Sequence, residues 1–427
     1  MSRLLLRNVT ALLPDGKFVE TSIGIDGALI DFVGTEPENW QAQRIIDGRN
    51  LMAIPGFVNT HTHAAMSLFR SYADDMLLMD WLQKKIWPAE DNLTDGDVYW
   101  GTQLAIAEML RTGTTTFADM YFYMPEVAEA VSETGIRAVL SRGMAGVSPM
   151  AAQALVESEE LYNTWHNAAA GRITVMMGPH APYTCPPQYL NKVVDLAHKL
   201  GAGIHIHLAE TIGEADDCRA QYGKSPIMLM DELGVLDCGV LAAHCVHLSA
   251  EDIAVMAAKN VRVAHNPGSN MKLASGVAPV RELLAAGITV GLGTDGAASN
   301  NNLDMLEEMR LAAMLHKVHN LDPLAISAPV ALDMATKQGA TALGLGGTVG
   351  QLAAGMHADI TLLAMNKPHW YPRNDKTSLL VYAANSADVH TVMVDGEILL
   401  DNGSLTTIDE EKVYFEAAQR GARLVAQ

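Results

Sequence analysis

Ala53-Ile54-Pro55-Gly56-Phe57-Val58-Asn59-Thr60-His61-Thr62-His63 marks the point where the chain changes character. It reads as an apolar strand, 53–58, running into a polar His-Thr-His end. In extended backbone, residues i and i+2 point the same way, so the imidazoles of His61 and His63 can converge on one ion. Taken alone the pattern is weak, because two unrelated turn or surface histidines would read the same. Its weight depends on what surrounds it.

Downstream, short apolar runs alternate with amphipathic stretches. Strands are predicted at 53–58, 114–119, 137–141, 173–178, 203–208, 240–244, 261–265 and 288–293, which makes eight. Helical patterns lie between most of them, as at 98–112, 187–200, 250–259 and 279–286. Eight strands alternating with helices are the signature of a (β/α)8, TIM-like barrel. A helix-rich stretch, 303–343, follows and ends in the glycine-rich 344–350.

Upstream, 4–13 is an apolar run, Pro14-Asp15-Gly16 a turn, and 22–33 a hairpin around Asp26-Gly27. Beyond the barrel, strands are expected at 359–364, 389–394 and 397–400, with Asp395-Gly396 as a turn, then a helix over 409–425. The simplest account is one small β-sandwich domain built from both chain termini. The expected division is 1–55 (β domain, first part), 56–352 (hydrolase barrel) and 353–427 (β domain, second part, with the terminal helix).

The barrel reading gives the histidines their weight. In such barrels the active site sits at the C-terminal ends of the strands. His61 and His63 follow the first strand, His180 the fourth and Asp295 the eighth, while His207, His244 and His265 end the fifth, sixth and seventh. Polar groups from six strands would meet at one mouth. That predicts a metal site on His61, His63, His207 and Asp295. Glu210, three residues past His207, is placed to move protons at a metal-activated water, although a loop carboxylate can also be merely solvated. Asp295 could instead cap a helix; its place at the strand that closes the barrel favours a ligand that also accepts a proton. His244 is a further ligand, a base or an electrophile. His205 is expected to be a hydrogen-bonded barrel histidine, and His247 structural. The fourth strand carries no lysine that could bridge two ions, so one ion is expected.

The bulk numbers are compatible with an enzyme. The chain has 427 residues, 49% of them hydrophobic and 18% charged, with a net charge of −20. So acidic a chain disfavours nucleic acid and anionic membrane. Four cysteines without a C-x-x-C pair read as reduced thiols. The first eight residues, with Arg7 breaking the apolar run, do not read as a signal peptide, and no run approaches a bilayer span. A cytoplasmic location follows as an expectation.

Three segments carry a resemblance. These are 55–63 as quoted above, His205-Ile206-His207-Leu208-Ala209-Glu210, and Gly293-Thr294-Asp295-Gly296-Ala297-Ala298-Ser299-Asn300. They resemble the amidohydrolase superfamily, and within it the 5-methylthioadenosine/S-adenosylhomocysteine deaminases. The likeness runs over nearly the whole chain, including the stretch from Leu352 through Gly355 to Ala358-Asp359-Ile360. It implies one Zn²⁺, sometimes iron, on His61, His63, His207 and Asp295, with Glu210, His244 and Asp295 acting on the water and the leaving group. It implies substrate contacts at Trp81, Glu90, Arg142, His180, Glu210 and Ser299. It implies hydrolytic deamination at C6 of an adenine nucleoside, with a small molecule as partner, no nucleic acid or membrane, and self-association left open. The alternative is another aminohydrolase of the same build, of guanine, pterin or triazine type.

One departure bears on the substrate. Family members that accept S-adenosylhomocysteine can carry a second arginine a few turns after the Arg142 position. Here Ser148-Pro149-Met150-Ala151-Ala152-Gln153-Ala154-Leu155 has none. A zwitterionic tail would lose a bidentate partner, so an apolar 5′ substituent or adenosine itself is expected to be preferred.

Overall fold

The computed structural model describes residues 3–426. Eight parallel strands form one sheet in sequential order: Phe57–Thr62, Thr114–Tyr121, Arg137–Met144, Ile173–Pro179, Ile204–Leu208, Val240–His244, Arg262–His265 and Val290–Leu292. Below they are called the first to eighth barrel strands. Their side chains are almost entirely buried, as expected when helices cover a parallel sheet. The sheet curls until its ends meet. At that seam the Thr60 hydroxyl donates to the Leu292 carbonyl (2.8 Å) and the Asp295 amide to the His61 carbonyl (2.9 Å). Gly293 makes the close approach feasible, since a Cβ there would stand 2.8 Å from the His61 nitrogen.

The intervening helices bury one face each. In Pro187–Leu200 the buried residues are Tyr189, Leu190, Val193, Val194, Leu196 and Ala197, an i, i+3, i+4 stripe. Gly201, at φ 66°, ends that helix in the left-handed region.

The second sheet has nine strands and draws on both ends of the chain. Ser404–Leu405, Glu397–Asp401, Val389–Val394 and Ile360–Ala364 lead to Leu51–Pro55, then Arg3–Leu12, Phe18–Asp26 and Leu29–Gly34. Arg44–Asp47 pairs with Arg3–Leu12 as well. The two chain ends meet where Ile360–Ala364 runs antiparallel to Leu51–Pro55.

One boundary differs from the sequence reading. The predicted strand 53–58 is two strands in two sheets: Leu51–Pro55 belongs to the β domain and Phe57–Thr62 to the barrel. Only Gly56 separates them, so a continuous apolar run carries no sign of the change of sheet. The first barrel strand therefore extends through His61, which lies inside the strand, not after it.

The sheets are locked by a buried ion network. Arg137, at the start of the third barrel strand, donates from Nε to Asp359 (2.8 Å) and from Nη2 to both Asp359 and Asp395. The Arg137 and Asp359 side chains are 2% and 1% exposed. Removing the cation would strand a buried carboxylate, an error of about 3–5 kcal/mol. Arg137→Ala is expected to lower the thermal midpoint strongly, while the protein that remains folded turns over normally. Calorimetry beside an activity assay checks this; an unchanged midpoint would contradict it. Among the described residues no helix is long and apolar enough to cross a membrane.

Candidate active site at the mouth of the barrel

Three histidines present the same nitrogen to one point. His61, in the first strand, shares a hydrogen bond between its Nδ1 and His205 Nε2 (2.8 Å). His63 donates from Nδ1 to the Met120 carbonyl (2.7 Å), and His207 from Nδ1 to the His180 carbonyl (2.7 Å). The two carbonyls can only accept, which fixes the tautomer of His63 and His207 so that each Nε2 carries the lone pair. The Nε2 atoms of His63 and His207 stand 3.2 Å apart. Asp295 Oδ1 faces His61 Nε2 at 3.5 Å and His63 Nε2 at 3.3 Å. His61 Nε2 is buried with no hydrogen-bond partner. The ligand atoms of His61, His63 and Asp295 lie within 4.8 Å of one another, as do those of His61, His207 and His244. Lone pairs aimed at a shared gap, one of them otherwise orphaned, are what a divalent ion requires.

The electrostatics favour a cation. Burial keeps the imidazoles neutral: His61 is lowered to about 4, and His207 well below its usual value. Burial alone would raise the Asp295 carboxyl, but the facing imidazoles of His61 and His63 hold it well below the carboxylate range. The carboxylate is also clamped. Ser269 and Ser299 donate to Oδ2 at 2.6 and 3.0 Å, and the Gly296 amide to Oδ1 at 2.8 Å.

Glu210 and His244 stand beside this cluster. Glu210 Oε2 is 3.8 Å from His244 Nε2, and its Oε1 accepts from the Ser275 hydroxyl (3.2 Å). Burial raises the Glu210 carboxyl. For His244 burial works downward, but the Glu210 and Asp295 carboxylates outweigh it and the imidazole is raised. His244 also contacts Asn270 Oδ1 at 2.8 Å through Nδ1, which leaves Nε2 toward Glu210. The Glu210 backbone is pinned by Glu214, whose carboxylate accepts from the amides of Ala209 (2.8 Å) and Glu210 (2.9 Å).

A cavity of about 980 Å³ opens over these groups. Its walls include the remaining residues expected to contact substrate: Trp81, Glu90, Arg142, His180 and Ser299. Trp81 comes from the short helix Leu78–Trp81 and Glu90 from Trp87–Glu90. The Tyr121 hydroxyl donates to Glu90 Oε1 (2.8 Å). The cavity wall pushes the Glu90 carboxyl up to about 7. Burial lowers His180 to about 3, so it too is neutral. Arg142 stacks over Phe122 and donates from Nε to Glu157 (2.7 Å). No other lysine or arginine lines the cavity among the described residues.

His265 does not join the site. It is fully buried, and its Nε2 lies 3.0 Å from His316 Nε2 in helix Met305–Asn320, away from the cavity. The strand-end rule gave its position but not which way the ring turns. Conversely, Ser269, Asn270 and Glu214 were not singled out. Ser269 and Asn270 belong to the polar run Asn266-Pro267-Gly268-Ser269-Asn270 directly after the seventh strand, where that same rule applied.

Comparison with known proteins accords with this geometry. The chain matches the Amidohydrolase family over residues 52–399. The chain belongs to the amidohydrolase family. Among its amidohydrolase relatives, the 5-methylthioadenosine/S-adenosylhomocysteine deaminase of Pelotomaculum thermopropionicum is 56% identical, covering 100% of this chain and 99% of that one. The protein of the same name from Desulforamulus reducens is 51% identical over 100% of both chains. Among solved structures, an adenosine deaminase from Xanthomonas campestris with bound zinc is 33% identical, with a TM-score of 0.95 over 99% of this chain and 98% of that one. A zinc-complexed atrazine chlorohydrolase from Arthrobacter aurescens is 26% identical with a TM-score of 0.92 over 98% of this chain and 100% of that one.

Proposed function

We propose that this amidohydrolase hydrolyses the C6 amino group of adenine nucleosides, releasing ammonia and the inosine derivative, with one Zn²⁺ held by His61, His63, His207 and Asp295. The observation that carries the reading is the convergence of those four side chains on one point directly beside Glu210 and His244. The names of the relatives, and of the zinc-bound structural neighbour, support the substrate class and the metal. A bound Zn²⁺ would supply an acidified water and stabilise developing negative charge.

The chain's own groups do the rest. Asp295, clamped by two hydroxyls, takes a proton from the attacking water, and His244 Nε2 orients that water. Glu210 protonates a ring nitrogen of the purine, then takes the proton of the hydroxyl added at C6 and passes it to the departing amino group; the proton held by Asp295 restores the Glu210 carboxyl for the next turnover. Trp81 offers an aromatic face to the base. Glu90, aimed by Tyr121, accepts hydrogen bonds from the ribose diol.

The test is ammonia release from a panel of adenine nucleosides, guanine, pterins and triazines. Adenine nucleosides should be the best substrates. A triazine or guanine turned over faster would replace this reading with the alternative suggested by the triazine-type neighbours.

The same panel resolves the 5′ group. Arg142 is already paired with Glu157, and Ala154 supplies no second cation. A zwitterionic tail therefore forgoes charged hydrogen bonds worth about 1.5–3 kcal/mol each. 5′-Methylthioadenosine should exceed S-adenosylhomocysteine in kcat/KM by about tenfold or more. The reverse order would show that the tail finds another grip.

Glu90 sets a pH dependence. Because its carboxyl is raised to about 7, it is protonated below that pH and ionised above it. Only the carboxylate accepts two hydrogen bonds from the diol. KM for a ribonucleoside should rise as pH falls from 8 to 6, and Glu90→Gln should raise KM and flatten that limb. A KM indifferent to pH in the wild type would remove Glu90 from ribose binding.

A further inference from the structure

Glu308 lies in the first turn of helix Met305–Asn320, wholly buried, and it does not line the cavity. Its carboxylate accepts from the Gly268 amide (2.9 Å) and from Asn300 Nδ2 (2.8 Å). No lysine or arginine pairs with it among the described residues. Burial pushes its carboxyl up to about 8. Burying a carboxyl without a cation is costly, and an apolar side chain would fill the space at less expense. What the carboxyl adds is its two acceptor atoms, and each engages a different active-site loop.

Gly268 leads directly into Ser269 and Asn270. Ser269 donates to Asp295 Oδ2 at 2.6 Å, and Asn270 Oδ1 meets His244 Nδ1 at 2.8 Å. Asn300 follows Ser299, the other hydroxyl on Asp295, and donates as well to the Thr294 carbonyl (2.8 Å) beside it. The fit is close: a Cβ on Gly268 would stand 2.2 Å from Glu308 Oε1, so glycine is needed for the carboxylate to reach the amide.

We propose that Glu308 is a positioning residue for the reaction: by tying Gly268 to Asn300 it holds the loops after the seventh and eighth strands in one arrangement, and so sets the positions of Asp295 and His244. Only Ser269 lies between its tie at Gly268 and the Asn270–His244 contact, and each tied residue is the direct chain neighbour of a serine whose hydroxyl bonds Asp295. Slack at Glu308 is thereby passed to Asp295 and His244, while Trp81, Glu90 and Arg142, which line the cavity from other elements, keep their places. The inference rests on the proposed roles of Asp295 and His244.

The test compares wild type, Glu308→Ala and Glu308→Gln for kcat, KM, zinc affinity by competition with a chelating dye, and thermal midpoint. Removal of groups that orient ligands typically costs 10–100-fold in affinity or activity. In Glu308→Ala, kcat at saturating zinc and zinc affinity should each fall by about 10–100-fold, with KM within about threefold. Glu308→Gln keeps one acceptor for the Gly268 amide and should recover part of both. If Glu308→Ala fails to fold, Asn300→Ala removes the second tie, together with the Asn300–Thr294 contact, and should lower kcat in the same sense. A lowered midpoint with unchanged kcat and zinc affinity would make Glu308 structural only and overturn the proposal. Wild type that releases no ammonia would instead overturn the functional reading, so the two failures are distinguishable.

Discussion

Glu210→Gln is expected to reduce turnover by about 10³-fold while the protein keeps its zinc and its KM. Glu210 is not among the four groups that converge on the metal point; its nearest catalytic neighbour is His244 Nε2 at 3.8 Å. Gln is isosteric, and its carbonyl can still accept from Ser275, which donates to Oε1 at 3.2 Å in the native chain. The backbone stays pinned because Glu214 bonds the amide of Glu210, not its side chain. What disappears is a carboxyl that burial has raised, and with it a group able to give a proton to a purine nitrogen. Single-turnover rates beside metal analysis check this. Full activity in Glu210→Gln would sink the proton-transfer role. Loss of activity together with loss of zinc would reassign the residue to the metal site.

Much of this arrangement was legible before any coordinates, for a reason particular to the architecture. In a parallel barrel every strand ends at the same rim, so a polar residue at an apolar strand's end has a known address. That rule gathered His61, His63, His180, His207, His244 and Asp295 from distant parts of the chain, and the structure brings all six to one cavity or its floor. It failed for His265, because the address says nothing about rotation: that ring turns to His316 on a helix the strand pattern does not place. It also missed Ser269, Asn270, Glu214 and Glu308. Their chemistry lies in contacts across 4 to 40 residues, and serine, asparagine and glutamate in such positions are ordinary loop and helix residues. The break between the two sheets at Gly56 was invisible for a different reason, since apolar sequence on both sides is equally suited to either sheet. The cavity wall was legible only through resemblance. Trp81, Glu90 and Arg142 sit on or beside helices and strands where a tryptophan or a charge has many uses.

Asp295→Asn is expected to fold, to bind zinc about 100-fold more weakly and to lose on the order of 10³-fold in turnover. The fold should survive because asparagine shares aspartate's tolerance for the left-handed region, and Asp295 sits at φ 60°. The amide nitrogen can occupy the Oδ2 position, where the hydroxyls of Ser269 and Ser299 rotate from donating to accepting. The amide oxygen then keeps the Oδ1 position, bonded to the Gly296 amide and facing His61 and His63. Geometry is thus retained while two properties vanish: the negative charge facing the His61 and His63 ring nitrogens, and the capacity to accept a proton. The first is read from thermal stability, because a ligand that binds only the folded state stabilises it by RT ln(1 + [L]/Kd). At a zinc concentration about 100-fold above the native Kd, the stabilisation of about 2.7 kcal/mol should shrink to about 0.4 kcal/mol in the variant. The second is read at zinc levels that saturate the variant, where turnover should remain low. Recovery of full turnover by added zinc would make Asp295 a ligand only, and the proton would then have to leave through His244.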